Sequence, residues 1–113
     1  MEKLKLVIAD DESLIRMDIK EMLEDAGHKV IGEGTNGRQA VDLAAELQPD
    51  LVIMDVKMPE MDGVEAMKQI RYTSADLGRN VIIIALTANA VSGAREMFMK
   101  EGFDGFIAKP INI

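Results

Sequence analysis

Three observations predict an α/β fold built on a parallel sheet. Short apolar runs alternate with amphipathic stretches along the whole chain. The connections between them are too short for anything but right-handed crossovers. The longest apolar run, Val81 to Leu86, is hydrophobic at every position, as a strand covered on both faces should be.

Taken in order, Leu4 to Ala9 reads as a buried strand that ends abruptly in acids. Ser13 is the expected N-cap of a helix reaching Ala26, because Ile15, Ile19, Met22, Leu23 and Ala26 keep helical spacing. Gly27 ends it. Lys29 to Gly32 is a shorter, weaker strand, and Gly34-Thr35-Asn36-Gly37 is turn chemistry. Arg38 to Leu47 carries Ala40, Val41, Ala44 and Leu47 on one helical face. Pro49-Asp50 then precedes the strand Leu51 to Met54. Met61-Asp62-Gly63 opens a third helix reaching about Tyr72, with Val64, Met67, Ile70 and Arg71 at helical intervals. Val81 to Leu86 is the fourth strand, Val91 to Glu101 the fourth helix, closed by Gly102, and Gly105 to Ala108 the fifth strand. On the fourth helix, Met97 is expected to pack in the core and Met99 to be incidental.

Composition bounds the function. A chain of 113 residues, 48% of them hydrophobic, is sized for one domain with a single core. Its 20 acidic against 13 basic side chains argue against direct binding to nucleic acid or to an anionic membrane. No cysteine is present, which excludes disulfides, thiolate metal sites and cysteine nucleophiles. Val81 to Leu86 is far below the roughly 18 residues of a membrane span, and the first residues lack the apolar stretch of a signal peptide. The expectation is a soluble protein of the cytoplasm.

In open parallel sheets the working site lies off the carboxyl ends of the strands. Those ends are chemically unusual here. The first strand runs into Asp10-Asp11-Glu12, the third into Asp55, the fourth into Thr87-Ala88-Asn89 and the fifth into Lys109-Pro110. Parallel strands would bring these groups to one edge of the sheet. Clustered carboxylates raise one another's pKa unless a cation intervenes. Hard oxygen ligands without His or Cys select Mg²⁺. A carboxylate held between such a metal and the Lys109 ammonium can attack a phosphoryl group in line, with Thr87 donating to a phosphoryl oxygen. Such an attack needs no general base, and the single histidine, His28, lies away from this edge. Taken alone, a pair of acids after a strand is more often a solvated turn or a helix cap. Four strand ends each carrying a group the same chemistry needs is a different matter.

These residues resemble the receiver domain of two-component response regulators. The motifs are Asp10-Asp11, Val52-Ile53-Met54-Asp55-Val56-Lys57-Met58-Pro59, Met61-Asp62-Gly63, Ala85-Leu86-Thr87-Ala88 and Lys109-Pro110. The resemblance implies a flavodoxin-like (CheY-like) five-stranded parallel sheet of order 2-1-3-4-5 with helices on both faces. It makes Asp55 the phosphoacceptor, served by a histidine kinase or phosphotransfer protein or by a small donor such as acetyl phosphate. Asp11, Asp55 and the backbone carbonyl of Lys57 would ligate Mg²⁺, with Asp10 acting through a metal-bound water. Thr87, the Ala88 amide and Lys109 would bind the phosphoryl oxygens, and a cis peptide would join Lys109 to Pro110. Thr87 and Phe106 would form the switch, read by an output domain or a second copy through the surface of the fourth helix and fifth strand. Met58 and Met61 flank the site and could touch a kinase.

Two departures accompany the resemblance. Receivers usually carry a fifth helix after the Lys-Pro loop. With that helix absent or truncated here, one face of the fourth and fifth strands should lose cover. The stretch from Ala9 to about Val56 resembles receivers of antitermination (ANTAR-type) regulators, whereas Asn80 to Pro110 resembles receivers within hybrid histidine kinases. An aspartyl-phosphate hydrolase typically needs an acid two residues after the nucleophile, where this chain has Lys57. A flavin carrier would need a phosphate loop where Asp10-Asp11-Glu12 would repel phosphate. The remaining alternative is a receiver-shaped binding module that is not productively phosphorylated.

Overall fold

The sheet grows outward from β1 (Lys5–Ala9), whose residues Leu6 to Ala9 are all buried. The structure is a computed structural model and describes residues 3–88 and 93–109. On one side of β1 lies β2 (Lys29–Gly34); on the other lie β3 (Leu51–Asp55), β4 (Ile82–Thr87) and β5 (Gly105–Ala108). Every pairing is parallel and the order is β2-β1-β3-β4-β5, as expected. The crossovers are α1 (Ser13–Asp25), α2 (Gly37–Leu47), α3 (Gly63–Asp76) and α4 (Ala94–Glu101).

Side-chain alternation sorts the strands into two cores. Val7, Ala9, Val52, Met54, Ile83 and Ala85 face α2, α3 and α4, meeting Ala40, Val41, Ala66, Met67, Ile70 and Phe98. Leu6, Ile8, Ile53 and Leu86 face α1 through Ile19. Ile19 is the one fully buried side chain of α1, an anchor contributing about 2 kcal/mol. Ile15 and Leu23 pack beside it, partly buried.

Several elements differ from expectation for identifiable reasons. Ser13 is the first helical residue rather than the cap. Glu12 holds the N-cap place without a side-chain bond, and its N–H is already taken by Asp10 Oδ1 at 2.9 Å. Strand β2 runs two residues further than Gly32, because a bulge restores its pairing: Leu6 pairs with Val30 and Val7 with Gly32. Helix α3 continues to Asp76 through Thr73 and Ser74. Those hydroxyls bond back to the carbonyls of Gln69 and Ile70, so residues that usually favour turns stay in the helix.

Strand β4 is fully covered on one face only. Ile83 and Ala85 are buried, while Ile82 is 43% exposed and Ile84 half-buried, because α1 packs over β1 and β2 instead. On α4, Met97 is 52% exposed, contrary to expectation; Phe98 is the residue turned inward. The expected start of that helix, Val91 and Ser92, lies outside the described residues.

Candidate functional site

Register decides what meets at the carboxyl edge. Ala9 pairs with Met54, Asp55 with Leu86, and Thr87 with Ala108. The residues that end or follow these strands, Asp10, Asp55, Thr87 and Lys109, therefore stand at nearly one level. Alternation places Asp10 and Asp55 on the rows facing α1, and Thr87 on the Ile83–Ala85 row facing α3 and α4.

Asp10 is wholly buried. Its N–H donates to the Gly34 carbonyl at 3.0 Å, its Oδ1 accepts from the Glu12 N–H at 2.9 Å, and its carbonyl accepts from Arg16 at 2.6 Å. Asp55 is 6% exposed, and its Oδ1 accepts from the Lys57 N–H at 3.3 Å. The Lys109 ammonium stands between three carboxylates, 2.8 Å from Asp10 Oδ2, 3.0 Å from Glu12 Oε1 and 3.1 Å from Asp55 Oδ2. Its backbone N–H donates to the Thr87 carbonyl at 2.7 Å, which ties the end of β5 to β4. Asp11 is exposed and lines the cleft beside Thr87 and Ala88; the opening is about 280 Å³.

The electrostatics are unbalanced. Burial pushes the Asp55 carboxyl above its ordinary value and the negative charge of Asp10 adds to this, against the hydrogen bonds and charge of Lys109 and the Lys57 N–H. Burial alone would lower the Lys109 pKa, but its bonds to Asp10, Glu12 and Asp55 outweigh that and hold it above the usual lysine value. Asp10, Asp11, Glu12 and Asp55 each offer an oxygen, all within 4.8 Å of one another. One ammonium faces four carboxylates. A divalent ion fits this surplus, and the all-oxygen donor set suits a hard cation such as Mg²⁺. Such a cluster can bring positive charge to a phosphoryl group and hold a carboxylate ready beside it.

Most of the expected residues thus come together: Asp10, Asp11, Asp55, Lys57, Thr87, Ala88 and Lys109 line or form one cleft. Asn89 and Pro110 lie outside the described residues, and with Pro110 the expected cis peptide. Phe106 is half-buried on the face shared with Ala85 and Thr87, its ring 5.7 Å from that of Phe98. His28 sits at the other edge of the sheet, where its Nδ1 accepts from the Leu4 N–H at 3.2 Å. Met58 and Met61 are half-buried against the core.

Sequence reasoning missed two members. Glu12 was placed in the acid run without a role, yet it is a direct partner of Lys109, 97 positions away. Arg16 joins Glu33 at 3.3 Å and the Asp10 carbonyl, bracing the first acid from α1. The available signal was its place on the first turn of a helix that starts at the acid run.

Comparison with known proteins agrees with this geometry. Residues 6–113 match the family model for the response regulator receiver domain. The transcriptional regulatory protein PdtaR of Mycobacterium tuberculosis is 41% identical over 109 residues, 96% of this chain. The chain spans only 51% of that relative's length. The chemotaxis protein CheY of Thermotoga maritima is 40% identical over 106 residues, covering 94% of this chain and 85% of its own. Among solved structures, the receiver domain of the Pseudomonas aeruginosa sensor histidine kinase PA1611, crystallised with a magnesium ion in its active-site cleft, is 34% identical with a TM-score of 0.82. That likeness covers 98% of this chain and 88% of the other. Among the described residues no helix is long and apolar enough to cross a membrane. The family-model match and the identity of these relatives show that the chain belongs to the response regulator receiver domain family of two-component signalling.

Proposed function

We propose that the chain, as a single receiver unit over residues 1–113, is a Mg²⁺-dependent switch that modifies itself on Asp55. The setting of Asp55 carries this reading: a buried carboxylate at a strand end, 3.1 Å from a lysine ammonium, inside a cluster of acids that needs a cation. An Asp55 oxygen forms a bond to phosphorus while the donor's P–N or P–O bond breaks. The leaving group takes that bonding pair, and Asp55 surrenders no proton because it attacks as the carboxylate. The donor is a phosphohistidine of a kinase or phosphotransfer protein, or an acyl phosphate.

Asp11, Asp55 and the Lys57 carbonyl would hold Mg²⁺, with Asp10 acting through a bound water. Bound there, the ion would supply positive charge to the transferring phosphoryl oxygens. Lys109 neutralises a second oxygen, and the Thr87 hydroxyl and Ala88 N–H donate to the rest. Thr87 then draws toward the phosphoryl group and Phe106 turns into the space it leaves. Having no phenolic hydroxyl, Phe106 can signal only through volume. An output domain or second copy reads the change across α4 and β5.

The test is intact mass after incubation with acetyl phosphate, with and without Mg²⁺, on the wild type and on Asp55→Asn. One added phosphoryl group that needs both Asp55 and the metal is the expected result. Labelling of Asp55→Asn would sink the assignment. No labelling under conditions that modify another receiver would favour a binding module that is not phosphorylated.

A further inference from the structure

We infer that Gly37, at the start of α2 and outside the acid cluster, is a positioning residue for the metal site, acting through the loop that carries Lys57. The inference rests on the reading of the Lys57 carbonyl as a metal ligand. Gly37 is buried, and it is absent from the glycines with positive φ, so backbone freedom does not explain it. Space does. A Cβ at this position would stand 2.0 Å from the Met61 carbonyl oxygen, 2.7 Å from its carbonyl carbon and 2.8 Å from its Cβ. The two nearest are backbone atoms, which cannot swing aside as a flexible side-chain end can. The bare Cα of Gly37 is the seat on which the loop between β3 and α3 rests.

Neither side of this contact can give way easily. The start of α2 is fixed by Asn36, whose Oδ1 accepts from the Gln39 N–H at 2.8 Å, and Ala40 and Val41 anchor the following turn in the core. The loop, residues 57–62, is short and closed at its base, where the Gly63 N–H donates to the Val56 carbonyl at 2.8 Å. Within it the Met61 N–H donates to the Pro59 carbonyl at 2.7 Å, and Glu60 holds a left-handed φ of 67°. A push on Met61 therefore travels back through this tight turn to Lys57. There the Lys57 N–H reaches Asp55 Oδ1, and the same peptide segment presents the carbonyl. Gly32 offers the contrast. A Cβ there would meet the ends of the Leu47 and Leu43 side chains, at 2.9 and 3.3 Å, far from the loop.

The experiment titrates Mg²⁺ by calorimetry into wild type, Gly37→Ala, Met61→Gly and Gly32→Ala, well below each melting temperature. The Lys57 amide NMR signal is recorded without metal. Gly37→Ala should weaken Mg²⁺ binding about tenfold, the scale of losing a group that orients a ligand, and should move the Lys57 signal. Met61→Gly removes the Met61 Cβ from the same contact and leaves α2 and the Met61 carbonyl intact, so it carries the test if Gly37→Ala does not fold. It too should bind Mg²⁺ more weakly. Gly32→Ala should lower stability yet bind as the wild type does, separating positioning from general destabilisation. A folded Gly37→Ala or Met61→Gly that binds within twofold of wild type overturns the inference, as does an equal loss in Gly32→Ala. A wild type that binds no Mg²⁺ overturns the metal reading itself, a different failure from the first.

Discussion

Two basic side chains, the partly buried Arg71 and the nearly buried Lys109, show the chain treating charge in opposite ways. Arg71, on α3, donates to the Val81 carbonyl at 2.6 Å, to the Gly102 carbonyl at 2.9 and 3.2 Å, and to Asp104 Oδ2 at 2.6 Å. Its planar fork is matched to two backbone acceptors and one carboxylate, and it joins α3 to the start of β4 and the corner between α4 and β5. Asp104 is matched too, since its Oδ2 also accepts from the Ile83 N–H at 2.8 Å. Lys109 has no such balance. Three carboxylates crowd one compact ammonium and a fourth lies close by. Where rigidity is wanted the charges are complementary. At the carboxyl edge they are left in surplus, and a surplus of acid is what a cation can relieve.

The comparison can be broken most directly at Arg71. Arg71→Ala strands two backbone carbonyls and Asp104, and should lower stability by about 3 kcal/mol in urea unfolding. Arg71→Lys should recover only part of that loss, since an ammonium lacks the planar fork whose separate nitrogens reach Val81, Gly102 and Asp104. A neutral outcome for Arg71→Ala would show that the corner is not held by this guanidinium.

At the acid cluster the sign reverses. The Asp55 pKa is raised on folding, so its contribution is fully present below the ordinary carboxylate value and is lost as pH rises through the folded value. At neutral pH the ionised carboxylate is a burden on the metal-free protein. Asp55→Asn should raise the metal-free melting temperature by a few degrees. Mg²⁺ at one hundred times its Kd should stabilise the wild type by about 2.7 kcal/mol and the variant by clearly less. A fall in melting temperature for Asp55→Asn would mean that Lys109 needs this carboxylate more than the cluster suffers from it.

The smallest effect belongs to Asp104. Burial raises its pKa, but the Arg71 hydrogen bond, the Ile83 N–H and the guanidinium charge together hold it below the ordinary value. Its contribution is therefore present above about pH 4 and lost as pH falls through the depressed value. The stability gap between wild type and Asp104→Asn should shrink below about pH 4 in acid titrations. Because the side chain is 45% exposed, solvent screening should keep that gap under about 1 kcal/mol. A gap that does not change with pH would remove charge from the account of this corner.

Much of the site was legible because each strand delivers its functional group within a residue or two of its last apolar position. Asp10, Asp55, Thr87 and Lys109 could be read from local pattern and then placed together by the parallel rule alone. What escaped depended on distant approach. Nothing near Glu12 announces a lysine 97 positions away, and nothing near Gly37 announces the Met61 carbonyl. Thr73 and Ser74 look like loop chemistry until their hydroxyls are seen bonding back into α3. The partial cover of β4 is in line with the expectation that one face of the fourth and fifth strands loses cover, although Val81 to Leu86, apolar throughout, does not say which face; Ile82 is exposed where Ile83 is buried.

Strand β5 is four residues long, pairs only with β4, and none of its residues is fully buried. It nevertheless carries the cation that quiets three carboxylates. Short edge strands are where native proteins open first. Opening here would withdraw Lys109 and leave the acids facing one another, so the fraying of β5 and the charging of the cluster are one equilibrium. Amide hydrogens of Phe106 to Lys109 should exchange faster than those of β1 and β3, and faster still when a divalent ion stands in for the lysine, because opening then no longer strands the acids. The lifetime of the closed site would then be set by the least protected strand rather than by the core.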